Sequence, residues 1–188
     1  MQGLIGKKIG MTQVWDKDGY DAVQLGWGPQ NASRLTKAQV GHAKKAGLET
    51  PVRVLREFKA DAGEEVQPGQ VFDVKLFEGV EFVDVIATSK GRGFQGVVAR
   101  HGFAGGPHTH GGHVKRRPGS IGMRQSPGAV EKGHPMGGHT GDRRTTVQNL
   151  RLAGIRPEAN VLLVKGSVPG ANGSLVIVRK ALKKAVKA

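Results

Sequence analysis

The middle of this sequence limits the possible folds more than any other part. From His101 to Arg144, 44 residues hold six of the chain's seven histidines and only scattered apolar side chains, with no helical or strand period. Such a stretch cannot build a hydrophobic core. A loop of this length is uncommon inside a compact domain unless it is functional or ordered by a partner. We therefore predict a long irregular extension at 101–144, with 1–100 and 145–188 forming one compact body.

Acidic residues are absent from most of the same middle part of the chain. The 188 residues include 29 Lys and Arg against 15 Asp and Glu, a net charge of +14, and Val85 to Val130 contains no acidic residue. A chain this basic binds polyanions, so the predicted partner is nucleic acid. RNA is favoured over DNA, because no recognition helix is visible and an extended acid-free loop suits the irregular cavities of folded RNA.

Both flanks of the extension have the pattern of a mostly β protein. One early helix is predicted from Thr36 to Ala46, ended by Gly47, and a second, shorter helix from about Gly93 to Arg100, ended by Gly102. Turn signals are predicted at Asp18-Gly19, at Pro68-Gly69 and at PGANGS. Alternating apolar residues predict strands in GLIGKKIGMTQVW, YDAVQLGW, PVRVLREFKA, QVFDVKLF, EFVDVIATSK, TTVQNLRLAGI, NVLLVKGSV and LVIVRKA.

The segment GRGFQG at 91–96 matches a dinucleotide-binding fingerprint after a strand. The helix after it is short, and no acidic residue follows about 20 positions later to hold a ribose, since the next is Glu131. We interpret the segment instead as a tight turn whose backbone amides, with Lys90, Arg92 and Arg100, face phosphates.

Three histidines within PHTHGGH, at His108, His110 and His113, raise the alternative of a zinc site. The stretch has no carboxylate to act as a further ligand or to orient the imidazoles, and its glycine backbone is flexible. We therefore predict no metal and no other cofactor, and expect these rings to stack on bases and donate to phosphates.

Catalysis is not indicated by the remaining motifs. Pro118-Gly119-Ser120-Ile121-Gly122 lacks the first glycine of a nucleophile elbow, and no pair of carboxylates forms a pocket motif. We predict no enzymatic activity and no small-molecule substrate.

Location and membrane contact follow from the ends of the chain and its composition. There is no cysteine, and Lys7 and Lys8 interrupt the apolar stretch that a signal peptide would need, so a cytoplasmic protein is expected. The basic tail 179–187 is too short to bury much apolar area in a membrane, and we predict a flexible phosphate-binding arm.

Several blocks of the sequence resemble the bacterial form of ribosomal protein L three, the third protein of the large ribosomal subunit. The similarity covers nearly the whole chain. The blocks are LIGKKIGMTQVW, GHAKKAG, RVLREF, FVDVIATSKGRGFQGVVAR, FAGGP with the following THG, RRPGSIG, VEKGHPMGGHTG, TVQNL and NVLLVKGSVPGANG.

The resemblance implies a six-stranded β-barrel of the translation-protein type and an extension that threads into large-subunit rRNA. It further implies rRNA binding near the 3′ end early in assembly, neighbouring large-subunit proteins as partners, and an extension tip, here Ser120 to Pro127, directed toward the peptidyl transferase centre. Gln125 occupies the place of a glutamine that is methylated in some members. A free-standing RNA chaperone or nucleoid-type binder remains the alternative, followed by a small metalloprotein or nucleotide-dependent enzyme.

The residues predicted to contact rRNA are cations, histidines and polar side chains of the extension and its flanks. They are Lys7, Lys8, Lys90, Arg92, Arg100, His101, His108, His110, His113, Lys115, Arg116, Arg117, Ser120, Arg124, Gln125, Lys132, His134, His139, Arg143 and Arg144.

Two features depart from the family pattern. Relatives carry a further strand pair of about two dozen residues between Trp15 and Ala22, where this sequence runs straight through. His134-Pro135 stands where relatives usually have two basic residues, which lowers the charge of the returning limb of the extension.

Overall fold

The computed structural model describes residues 3–5, 11–14, 22–59 and 66–184. The strands are β1 Gly3–Ile5, β2 Met11–Val14, β3 Ala22–Pro29, β4 Val52–Lys59, β5 Phe82–Thr88, β6 Phe94–Gln95, β7 Gly138–His139, β8 Arg144–Arg156, β9 Val161–Lys165 and β10 Val176–Lys180. The helices are α1 Lys37–Lys45 and α2 Val97–His101, with 3-10 turns η1 Ala32–Arg34 and η2 Val74–Phe77. The prediction of a mostly β protein with a short helix or two is confirmed.

The chain divides into two compact units. The first, called the body here, comes from Met1–Thr88 and Arg144–Ala188, and the second, called the basic unit, is Ser89–Arg143.

The body contains two antiparallel sheets. One has five strands in the order β1-β10-β5-β8-β9, and the other has three in the order β2-β3-β4. At one end of the β5–β8 pair, Thr88 lies opposite Arg144. Among the described strands, no pairing closes these sheets into a barrel, so the six-stranded barrel stays a prediction.

The core of the body lies around the central strand β5. Its residues 83–87 are all buried, as expected for a strand covered on both faces. Phe77 is 0% exposed and packs with Val83 and Val85, and a second cluster forms around Val23 and Leu25. These side chains supply the hydrophobic burial that stabilises the body, whereas Val97 is the one buried apolar side chain among the described residues of the basic unit.

Asp84 is a buried carboxylate within β5, 1% exposed. The pairing of β5 with β8 shifts register here, and Asn149 opposite adopts a left-handed φ of 57°. Asp84 accepts a hydrogen bond from the backbone N–H of Asn149 at 3.0 Å, and its other oxygen lies 3.4 Å from both Arg179 Nη2 and the Leu182 N–H. The carboxylate therefore accepts hydrogen bonds from the Asn149 N–H at the bulge and from the Leu182 N–H after the end of β10.

Helix α1 has the boundaries that its sequence predicts. Thr36 and Gln39 form a capping box at its start. At its end, Gly47 adopts φ 72°, and the Leu48 N–H donates to the Ala43 carbonyl at 3.1 Å. This backbone geometry is the reason that a glycine ends the helix.

The strand predicted in QVFDVKLF is wrong, because residues 74–77 form the 3-10 turn η2. A 3-10 turn places residues three apart on one side, which buries both Val74 and Phe77. The Val74 N–H donates to Asn160 Oδ1 at 3.0 Å, a partner 86 positions away in sequence. Tertiary contacts thus override the apparent alternation.

The predicted flexible tail is also wrong for its first part. Arg179 and Lys180 lie in β10, Ala181 is buried, and Lys184 Nζ sits 4.7 Å from the centre of the Phe82 ring. Residues 185–188 lie outside the described part of the chain.

The predicted turn at Pro68-Gly69 is present, with Gly69 at φ 84°, whereas the one at Asp18-Gly19 falls outside the described residues. The region of the missing strand pair, residues 15–21, also lies outside them. None of the helices that the structure describes has the length and apolar character needed to cross a bilayer.

Candidate nucleic-acid interface

The basic unit combines a high positive charge with almost no acidic side chain. Residues 89–143 carry nine Lys and Arg, six His, and only Glu131 and Asp142 as carboxylates. A surface of this composition repels itself and attracts phosphates.

Backbone hydrogen bonds hold the two ends of the basic unit together. The Ser89 N–H donates to the Arg143 carbonyl at 2.9 Å, and further along the Arg92 N–H donates to the Thr140 carbonyl at 2.8 Å. Thr140 in turn donates to the Gly93 carbonyl at 2.9 Å, and the short strands β6 and β7 then pair. The unit is therefore closed at its base by a narrow ladder.

Close backbone approach in this ladder requires glycine at position 141. Gly141 has φ 79°, and a Cβ there would overlap the Lys90 carbonyl oxygen. Gly141 therefore allows the chain at 138–143 to pack closely against the backbone of residues 90–92.

Helix α2 contacts the chain around Met136 through two side chains that were predicted to bind RNA. Arg100 Nη1 donates to the Met136 carbonyl at 2.7 Å, and His101 Nε2 lies 2.9 Å from the same oxygen. The Arg100 guanidinium also covers Gly138, where a Cβ would meet Nη1 at 2.5 Å. Both residues remain exposed, but each has an internal contact that the sequence did not predict. The helix begins at Val97 rather than Gly93. It ends at Gly102 as predicted, and Gly102 adopts the left-handed conformation.

Beyond α2 the chain forms a turn that carries three histidines and then an exposed stretch. The turn is closed by the Gly106 N–H donating to the Lys115 carbonyl at 3.2 Å. Every residue from His113 to Gly133 is exposed, including Met123 at 64%. This stretch has no core of its own, in agreement with the sequence.

The structure gathers most of the predicted RNA-contacting residues on the surface of the basic unit. His134 is partly buried, and its Nε2 is a buried atom without a hydrogen-bond partner in the structure. Arg144 belongs to the body, at the start of β8, and Lys7 and Lys8 lie outside the described residues. The remaining predicted residues are exposed: Lys90, Arg92, Arg100, His101, His108, His110, His113, Lys115, Arg116, Arg117, Ser120, Arg124, Gln125, Lys132, His139 and Arg143.

The histidines are not arranged as a metal centre. Within the part of the chain that the structure describes, no group of three or more His, Cys, Asp or Glu side chains is placed to hold a metal ion.

Two features of the structure were not predicted from the sequence. One is Phe94, a ring 78% exposed in strand β6 of the GRGFQG segment. The only available signal was an aromatic residue between glycines in a basic stretch. The prediction of a tight turn whose amides face phosphates is wrong here, because the segment pairs with β7 and the Arg92 N–H donates to the Thr140 carbonyl. The other is an open cavity of about 400 Å³ in the body, whose lining includes Arg56, Phe58, Ile177 and Arg179. It brings together residues far apart in sequence, so no local pattern predicts it.

Comparison with known proteins places the chain among ribosomal proteins. The family model described as ribosomal protein L3 matches residues 52–161. A protein named large ribosomal subunit protein uL3 from Brachyspira pilosicoli is 43% identical over 209 aligned positions, covering 98% of this chain and 95% of that protein.

Proteins of the same name show similar values in two other bacteria. The one from Deinococcus radiodurans is 44% identical, covering 97% of this chain and 96% of its own length. The one from Thermotoga petrophila is 43% identical, covering 96% and 98%. The alignments run over 205–209 positions, more than the 188 residues of this chain, so the relatives contain residues without a counterpart here.

Proposed function

Because the chain belongs to the ribosomal protein L3 family, we propose that it is a structural, non-catalytic constituent of the large ribosomal subunit that binds large-subunit rRNA. This role places it in the bacterial cytoplasm, within the ribosome. Its partners are rRNA and neighbouring large-subunit proteins.

One contrast within the basic unit carries this proposal. Backbone hydrogen bonds join its two ends, whereas every residue from His113 to Gly133 is exposed. A narrow hydrogen-bonded ladder fixes where the limbs start. From His113 to Gly133 the chain is exposed and bears five Lys and Arg with a single acid, Glu131. A segment that buries nothing in its own protein but carries concentrated positive charge is suited to be packed by RNA.

The finer features that the resemblance implies belong to the same proposal. Residues 101–144, of which all but Arg144 lie in the basic unit, form the extension. Its exposed segment Ser120 to Pro127 is the tip that points toward the peptidyl transferase centre, and the protein binds near the 3′ end of the rRNA early in assembly. Gln125 in this segment is exposed and available as a methyl acceptor. Closure of the body sheets into a six-stranded barrel is part of the proposal as well.

The alternative function is a free-standing RNA chaperone, which would share the charge but not a fixed place in a particle. Sedimentation of cell lysate through a sucrose gradient in moderate salt separates the two. We expect the chain to travel entirely with the large subunit and with 70S particles. A substantial fraction at the top of the gradient would favour the chaperone.

A further inference from the structure

The side chain of Phe94 is exposed to a degree unusual for a phenylalanine. At 78%, it has the largest exposed fraction among the large apolar side chains that the structure describes. A ring exposed to this degree contributes little to the stability of the free protein, because most of its apolar area is not removed from solvent. A single exposed apolar side chain needs no explanation by itself, so the role of this ring depends on what surrounds it.

The backbone around Phe94 is fixed, although its ring is exposed. Phe94 pairs with His139 in the β6–β7 ladder, and the side-chain amide of Gln95 donates to the Arg92 carbonyl at 2.6 Å. The far edge of the ring, Cε1 and Cζ, lies 3.2 Å from where a Cβ on Gly137 would stand. The ring is therefore presented from an ordered ribbon and lies against glycine backbone.

The surroundings of the ring favour an anionic partner with a flat apolar face. Residues directly opposite in an antiparallel pair project from the same face, so the His139 ring flanks Phe94. Arg92 lies two positions before it, and both His139 and Arg92 are exposed. The basic unit holds only two carboxylates.

We propose that Phe94 is a stacking platform for an unpaired nucleobase of the large-subunit rRNA. Bases that are splayed out of RNA helices stack on aromatic side chains, while nearby cations take their phosphates. The proposal rests on the proposed function and adds a specific contact to it. An apolar patch of a neighbouring protein could also cover the ring, but it would leave the surrounding positive charge without a counterpart.

The test measures binding of the full chain to a transcript of its cognate large-subunit rRNA. Phe94→Leu keeps an apolar side chain but removes the flat ring, and we expect affinity to fall roughly 5- to 150-fold, the range for loss of one stacked base. Phe94→Tyr keeps the ring and should bind within about twofold of the unmodified chain. The slope of log affinity against log salt should be equal for all three proteins, because no phosphate contact is lost.

Controls keep the outcomes separate. Val71→Ala changes an exposed apolar side chain of the body, 49% exposed, and should leave rRNA affinity unchanged. If the unmodified chain fails to bind rRNA, the proposed function is overturned. If it binds and Phe94→Leu binds equally well, the stacking platform alone is overturned. Normal rRNA affinity combined with poor incorporation of Phe94→Leu into particles would identify a protein partner and also overturn stacking.

Discussion

Phe77 in the body and Phe94 in the basic unit are the same residue type used in opposite ways. Phe77 is 0% exposed in the main core cluster, whereas Phe94 is 78% exposed on a two-stranded ribbon. The body is held by apolar burial between sheets, and the basic unit by backbone hydrogen bonds between its limbs. The comparison shows that one chain can separate the residues that stabilise it from the residues that bind its partner.

The largest expected effect concerns the charge of the basic unit. Affinity of the full chain for large-subunit rRNA should fall by about 10³- to 10⁵-fold between 50 and 200 mM salt, as expected for about 6 to 10 phosphate contacts. Filter binding across a salt series measures the slope, which should lie at roughly −5 to −9. A slope near zero would show that burial, rather than charge, dominates binding.

The two phenylalanines give a matched pair for stability. Phe77→Ala should lower the free energy of unfolding by about 3–5 kcal/mol, because it opens a cavity in the core. Phe94→Ala should change it by no more than about 0.5 kcal/mol. Urea denaturation of both variants is the measurement, and similar losses would mean that the basic unit has an apolar core after all.

A smaller effect is expected at the buried carboxylate. Asp84→Asn keeps the shape of the side chain but turns an N–H donor toward Arg179 and the Leu182 N–H. It should lower the free energy of unfolding by about 2 kcal/mol. Asp73→Asn makes the same change at an exposed position and should lie within about 0.5 kcal/mol of the unmodified chain. Equal melting temperatures for the two variants would contradict a structural role for Asp84.

The smallest expected change in stability is at the exposed cations. The double variant Arg116→Ala with Arg117→Ala should unfold within about 0.5 kcal/mol of the unmodified chain. Its salt slope for rRNA binding should be less steep by about 2, corresponding to two lost phosphate contacts. Loss of stability without a change in slope would show that this pair supports the fold.

The sequence predicts those parts of the fold whose signals are local. Helix α1 is recognisable from Thr36 and Gly47, because a capping box and a glycine in the left-handed conformation act within one turn. The irregular middle is recognisable because it lacks any period and almost any acid.

Features set by distant partners were missed. The turn η2 depends on Asn160, 86 positions away, and the tail is held by Asp84 and Phe82 from the central strand. In the candidate interface, the charged residues were predicted from composition, but the internal contacts of Arg100 and His101 depend on the path of the returning limb.

The pairing of Thr88 with Arg144 determines where the chain can gain or lose residues without disturbing the body. The 55 residues of the basic unit leave and re-enter the body at directly opposed positions of one strand pair, which lie only about 5 Å apart. Topologically the basic unit is thus an oversized hairpin loop, and the entropy of closing such a loop rises only slowly with its length. Insertions and deletions between these two residues leave the strand register of the body intact, so its length can vary among descendants while the scaffold that displays it stays the same.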